Sequence, residues 1–408
     1  MKAKNKLYFI ACCFPPIGRG NAITNSCVAN ALSHNMAVDV VCMKREEGGI
    51  IAYQEDASLK RQINPDITVH RIRAANWWKI NMALYVVGIL PCYFVNWAWS
   101  VWRRREEIFS EKGIIFAVYP VFSDLLVGYL ISRRYNMPLL VDFRDDFSGV
   151  MARGWQRMLR PLYRFLESHI IQHADKISVT TEHLRRDLIK RYNMSESKVS
   201  VVYNIVPPSS ANISKRNVKS NTLRVIYAGA MSRVQKPEIL LKGYNVLCRR
   251  DAAWATRLSV ELYGPESPYF KLKIKQLVGE GCYFGGFLPQ AVISKRVASA
   301  DIGFFSLADS IYAYATPTKL FDYIEAGIPI LASLPLGAAR DIINQYAIGL
   351  TVDVGDVEGV AECLERLAAS SSLRAQFREN CKEAKNDLKN SKQIDKWKVM
   401  INEIAPTI

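Results

Sequence analysis

Short apolar runs alternate with helically spaced segments along the whole chain, and this alternation constrains the fold more than any other feature. Lys6–Phe14 reads as a buried strand, Asn21–His34 has helical spacing, and Val38–Met43 is apolar again. Strand, helix and strand in such close succession form a βαβ unit, which implies a parallel sheet. The pattern resumes at Ile114–Tyr119, Pro138–Phe143, Lys176–Thr181 and Val199–Asn204. It stops at Pro207-Pro208-Ser209-Ser210 and the Lys- and Asn-rich stretch up to Thr222, which reads as a linker. It then restarts at Leu223–Gly229, followed by Leu258–Gly264, Cys282–Phe287, Asp301–Leu307, Pro329–Ser333 and Leu350–Asp353.

The chain has 408 residues, enough for two ordinary domains. The expected fold class is α/β, with two Rossmann-like α/β/α domains facing a central cleft. The expected divisions are 1–206, a linker at 207–222, a second domain at 223–385, and a last segment, 386–408, whose Trp397 packs back on the first domain. In such sheets ligands bind beyond the carboxyl ends of the strands.

Half of the residues are hydrophobic and 23% are charged, which excludes disordered and fibrous classes. The formal net charge of +16 favours anionic partners: nucleotide phosphates, lipid head groups or nucleic acid. The nine cysteines show no metal-like spacing and sit largely in apolar runs, so a reducing compartment is expected. No nucleic-acid-binding module is recognisable, and nucleic acid is not an expected partner.

Between Ile80 and Trp102 there is no charged residue, and Lys79 and Arg103-Arg104-Arg105 flank the segment. Three readings stay open: a membrane span, helices of the first domain, and a membrane-docking element. A single span would put strands of one sheet on opposite sides of a bilayer, and Pro91 interrupts a helix here. Arg153, Arg157, Arg160 and Arg164 recur at steps of four, three and four, interleaved with Met158, Leu162 and Phe165. This reads either as a solvated basic face or as a surface meeting anionic lipid. His169 and His173 have metal-compatible spacing but read as exposed helix residues.

The richest stretch is Tyr314-Ala-Thr-Pro-Thr-Lys-Leu-Phe-Asp-Tyr-Ile-Glu-Ala-Gly-Ile-Pro329. Thr316 suits a helix N-cap, Pro317 the first helical position and Gly327 the C-terminal cap. Amides at that N-terminus form an anion site, with Thr318 and Lys319 in the first turn. Asp322, one turn deeper, can accept hydrogen bonds from two vicinal hydroxyls. The alternative is a capped surface helix with a solvated aspartate. Gly18-Arg19-Gly20 follows a buried strand and permits close approach of amides to a phosphate, although Ile23 breaks a dinucleotide fingerprint. It reads equally as a plain strand-to-helix turn. Asp142, Arg144, Asp145 and Asp146 end a strand, either as cleft residues or as caps of the next helix.

The stretch from Tyr314 to Pro329 resembles the donor-binding signature of the family-4 retaining glycosyltransferases of the GT-B fold, in the variant Pro-Thr-Lys-Leu-Phe-Glu/Asp-Tyr followed by Gly-x-Pro. The resemblance extends over nearly the whole chain. It includes Phe14-Pro-Pro-Ile-Gly-Arg-Gly20, Val141-Asp-Phe-Arg-Asp145, Tyr227-Ala-Gly229 with Gln235-Lys236-Pro237, and Gly285-Gly286-Phe287-Leu288-Pro289. It implies that Asp322 holds the donor ribose and that Gly286, Phe287 and Leu288 hold the nucleobase. Lys236 would lie on the donor diphosphate, and the Gly18–Gly20 loop would lie over the phosphates and acceptor. The family's first acidic residue falls at Tyr314, and the usual arginine five before Lys236 is Met231, for which Arg233 substitutes. Asp145 is the acceptor-side candidate, with Arg19 and Arg144 beside it.

The implied activity is retaining transfer of a sugar from a nucleotide diphosphate sugar to a glycan or lipid-linked glycan, in surface polysaccharide assembly. The expected place is the cytoplasmic membrane face. No cofactor beyond the donor and no metal are implied. Alternatives are a nucleotide-sugar epimerase of similar fold and a catalytically silent binding subunit.

Overall fold

The computed structural model describes residues 5–44, 54–150, 154–208 and 222–405. Arg153 and residues 209–221 of the expected linker lie outside them. The chain divides into two units, Met1–Ile205 with Asn390–Ile408, and Val206–Lys389.

The first unit holds β1 (Lys6–Ile10), β2 (Ala37–Met43), β3 (Thr68–Ile72), β4 (Ile114–Tyr119), β5 (Leu139–Phe143), β6 (Lys176–Val179) and β7 (Val199–Val201). They form one parallel sheet in the order β3-β2-β1-β4-β5-β6-β7. The five central strands are mainly apolar and almost wholly buried, because crossover helices cover both faces. β3 is the strand that apolar patterning misses. It is an edge strand, reads Thr-Val-His-Arg-Ile and buries fully only its last residue, so it lacks the apolar run that marks an interior strand.

The second unit holds β8 (Leu223–Ala228), β9 (Leu258–Tyr263), β10 (Cys282–Phe284), β11 (Ile302–Ser306), β12 (Ile330–Ser333) and β13 (Gly349–Val352). This sheet is also parallel, in the order β10-β9-β8-β11-β12-β13. Strand order reverses between β1 and β4 in the first sheet and between β8 and β11 in the second. Loops leaving the carboxyl ends of strands diverge at such a reversal and leave a crevice.

The helix Asn390–Ile404 belongs to the first unit. Trp397 is buried beside Phe116, with ring centroids 6.0 Å apart, and its indole N–H donates to Ser178 Oγ at 3.0 Å. Trp397, Met400 and Ile401 thereby join the core formed by Leu7, Phe9, Val40 and Leu140.

Residues 80–102 form parts of two short helices, Trp78–Val86 and Val95–Arg103, with Pro91 between them. No helix among the described residues is long and apolar enough to cross a membrane. Both helices are anchored to the first unit. Trp97 is fully buried, Asn96 Nδ2 donates to Ala75 O at 2.9 Å, and Tyr163 OH donates to Gly88 O at 2.9 Å.

The basic stripe differs from its expected form. Arg157 lies in a 3-10 stretch, Gly154–Leu159, and the α-helix begins only at Arg160. Pro161 explains this: it lacks an N–H and suits a first turn, not a helix interior. Arg157 and Arg164 are exposed and Arg160 is half-buried.

Candidate functional site

The reversal between β8 and β11 gathers most of the residues singled out from the second half of the sequence. The loop after β8 carries Arg233 and Lys236, and the loop after β11 carries Tyr314, Thr316 and Pro317 into the helix Thr318–Ala326. That helix is seated by Tyr323, a fully buried residue whose hydroxyl donates to Phe304 O at 2.9 Å and Ile226 O at 3.3 Å. These acceptors lie on β11 and β8, so one side chain pins the helix over the crevice. The contact needs a glycine: a Cβ at Gly303 would come within 2.6 Å of the Tyr323 ring.

The ends of the helix differ in how they match expectation. Gly327, at φ 66°, closes it in the left-handed conformation as the cap pattern predicts. At the start, Pro317 has ψ 145° and is itself the capping residue, so the helix begins at Thr318. Thr316 therefore lies before the cap, not at it, and is buried.

Asp322 and Lys319 face one another electrostatically inside this site. Burial pushes the Asp322 carboxyl up to about 7; Glu325 adds to the shift and Lys319 opposes it. Burial also brings the Lys319 ammonium down to about 8 against the opposing pull of Asp322. Lys319 does not share an outlook with Thr318. Its ammonium donates to Gln235 Oε1 and sits 5.1 Å over the Tyr227 ring. The side chain crosses Gly229, where a Cβ would come within 2.4 Å of Lys319 Cε.

The neighbouring strand ends step down from Gly229. Gly229 N donates to Tyr263 O at 2.9 Å, and Gly264 N to Gly286 O at 2.8 Å. Gly286, Phe287 and Leu288 lie half-buried in the loop after β10. Tyr314 is buried, at 6% exposure, and places an aromatic ring where the resemblance implies a carboxylate.

The first unit has its own group at the ends of β1 and β5. Gly18 N donates to Gln54 O at 2.8 Å, and the helix Gly20–Ser33 begins directly after Arg19, which is exposed. At the end of β5, Asp142 accepts from Ser178 Oγ at 2.6 Å and from Arg144 Nε at 2.7 Å. Arg144 is therefore turned inward, its side chain 8% exposed. Asp146 holds Arg191 through two bonds of 2.7 and 2.9 Å, with buried Glu167 at 3.5 Å. Asp145, half-buried, stands between these structural pairs.

The two histidines of the helix Arg160–His173 go to separate partners: His169 Nδ1 to Phe165 O and His173 Nε2 to Ser132 Oγ, each at 2.9 Å. Among the described residues, no group of three or more His, Cys, Asp or Glu is placed to hold a metal. The sequence does not reveal the Arg191–Asp146–Glu167 network or the bond from Lys319 to Gln235, because these partners lie far apart along the chain.

Two family models match: "Glycosyltransferase Family 4" over residues 37–210 and "Glycosyl transferases group 1" over residues 209–384. The chain belongs to the family-4-type glycosyltransferases of the GT-B fold. A D-inositol 3-phosphate glycosyltransferase of a Nocardioides species is 21% identical over 271 residues, 61% of this chain and 58% of that protein. The chain thus spans less than two thirds of that relative's length. Sucrose-phosphate synthase from Thermosynechococcus elongatus superposes with a TM-score of 0.71 at 15% identity, over 98% of each chain. The Anabaena protein HepE in complex with UDP and glucose superposes with a TM-score of 0.67 at 15% identity, over 99% of this chain and 100% of that one.

Proposed function

We propose that this glycosyltransferase moves a sugar, with retention at the anomeric carbon, from a nucleotide diphosphate sugar to a glycan acceptor. The observation that carries the reading is the strand reversal between β8 and β11. Two loops there present Lys236 and Arg233 on one side, and the Thr318 helix N-terminus with Asp322 on the other. The departing diphosphate gains negative charge as the glycosidic bond breaks. Lys236, Arg233 and the amides of Thr318 and Lys319 are the groups proposed to meet it. Asp322 is proposed to hold the ribose hydroxyls, and the loop Gly286–Leu288 the base. Retention follows from the family resemblance, and the scheme routes no step through a metal. Asp145 is the proposed acceptor-side group. A nucleotide-sugar donor is also what the Anabaena neighbour's complex with UDP and glucose suggests.

The acceptor is proposed to be lipid-linked, an intermediate of surface polysaccharide assembly at the inner membrane face. Supporting this, Ile80, Val86, Val87, Ile89, Leu162 and Phe165 are exposed apolar residues. They lie on segments joined by the Tyr163–Gly88 hydrogen bond, with Arg157 and Arg164 exposed on the same stretch.

The test is turnover of UDP-, GDP- and ADP-hexoses with and without a lipid extract as acceptor, the product anomer being read by proton NMR. Nucleoside diphosphate release that needs acceptor, with the anomeric configuration kept, supports the reading. Conversion of donor without acceptor means an epimerase, and no turnover with intact nucleotide binding means a silent subunit.

A further inference from the structure

We propose that Lys319 is a positioning residue: through Gln235 it locks the Ser232–Lys236 turn so that Lys236 is aimed at the donor diphosphate. The inference rests on the donor-site reading of Lys236.

The turn is held from several directions. Gln235 N and Lys236 N both donate to Ser232 O, at 3.2 and 2.9 Å, and Ala308 N donates to Val234 O at 2.8 Å. Ser306 Oγ, at the end of β11, donates to Gln235 O and also reaches Lys236 O at 3.3 Å. The Gln235 side chain points inward, where its Oε1 accepts from both Tyr227 OH, at 3.1 Å, and Lys319 Nζ. Lys236 then sits at φ 25°, a backbone conformation that a side chain larger than glycine's adopts only where its surroundings over-determine it. Among the described residues, no protein carboxylate or carbonyl is bonded to the Lys236 ammonium. The geometry gives the two lysines different tasks: Lys319 is buried and tied to the turn, while Lys236, half-buried, carries no such tie among the described residues.

Among the described residues this tie is the only side-chain hydrogen bond of Lys319, and it spans 84 residues of sequence. It joins the signature helix to the loop after β8, the two elements that flank the crevice. A buried ammonium whose hydrogen-bond partner is a neutral amide adds little net stability. Its effect is to fix geometry. Lys319 also packs on Gly229 and the Tyr227 ring, which leaves the side chain no slack on that side.

The test is isothermal titration calorimetry on the full chain with the best-binding nucleoside diphosphate and the matching monophosphate. The proteins are wild type, Lys319→Met, Gln235→Met, Lys236→Met and the double variants with Lys236→Met. The expected result is that Gln235→Met weakens the diphosphate about tenfold and the monophosphate hardly at all, and that Lys319→Met does the same on top of a smaller loss shared by both nucleotides, since Asp322 then lacks its opposing cation. In the Lys236→Met background neither costs the diphosphate more than the monophosphate. Amide exchange across residues 231–236 speeds up in Lys319→Met. Three results overturn the inference: equal losses for both nucleotides in both single variants, a diphosphate-selective loss that persists without Lys236, or unchanged binding by both single variants. Gln235→Met, a loop substitution, keeps the test decisive if Lys319→Met does not fold. A wild type that binds neither nucleotide removes the donor-site reading itself, and this inference with it.

Discussion

A carboxyl pushed up to about 7 beside an ammonium brought down to about 8 makes the pair of Asp322 and Lys319 sensitive to pH near neutrality. Only the ionised carboxylate can accept from both hydroxyls of a ribose, so nucleotide affinity should rise as pH climbs through about 7. Asp322→Asn should flatten that profile, as calorimetry between pH 5.5 and 8.5 would read. The stability of the unliganded protein carries the opposite sign. Asp322 binds its proton more tightly when folded than in the unfolded chain, so its contribution is lost as pH rises from about 3.8 to about 7. Lys319 loses its proton more easily when folded, so its penalty is relieved as pH rises from about 8 towards 10.5. The Asp322 penalty is complete above about pH 7, so Asp322→Asn should raise the melting temperature there and hardly change it near pH 4. The helix that carries Asp322 was legible because it bears local marks at Pro317 and Gly327. The orientation of Lys319 was not, because what turns it inward is Gln235, on another element.

At the scale of elements, two local rules fixed the signature helix and one long-range contact seated it. Gly303→Ala places a methyl group against the buried Tyr323 ring and should destabilise by about 1–3 kcal/mol, the usual cost of overpacking, measured by urea denaturation. Nucleotide affinity should fall with it, because Tyr323 sets where Asp322 stands. In the first unit, Arg191→Met would leave Asp146 and Glu167 buried without their cation. A loss of about 3–5 kcal/mol is expected, with Arg191→Lys intermediate since only the guanidinium spans Asp146 bidentately. None of this was visible in the sequence: Arg191 looks like one more basic residue on a charged helix. The edge strand Thr68–Ile72 was hidden for a related reason, its polar residues being acceptable only because one side of it has no neighbouring strand.

At the scale of the molecule, the first unit is completed by the last helix of the chain. Trp397→Ala should cost about 3–5 kcal/mol, as for other large buried aromatics, while nucleotide affinity is retained because Trp397 belongs to the other unit. The parallel two-sheet plan could be read from the alternation of apolar runs, whereas nothing in the sequence required Trp397 to return to the first unit, because its partners Phe116 and Ser178 lie far away along the chain. The net charge of +16 and the exposed Arg157 and Arg164 predict salt-sensitive binding to anionic vesicles, each arginine contributing about 1 kcal/mol. Replacing both with glutamine should reduce sedimentation with phosphatidylglycerol vesicles and leave neutral vesicles unaffected.

The most direct measurement is a thermal-shift panel of the whole protein against UDP, GDP, ADP and CMP and their common sugar conjugates, with Asp322→Ala alongside. The account predicts selective stabilisation by one nucleoside diphosphate and its sugar conjugates, lost in the variant. A wild type that none of these nucleotides stabilises, while a nucleotide-binding control responds, would contradict it.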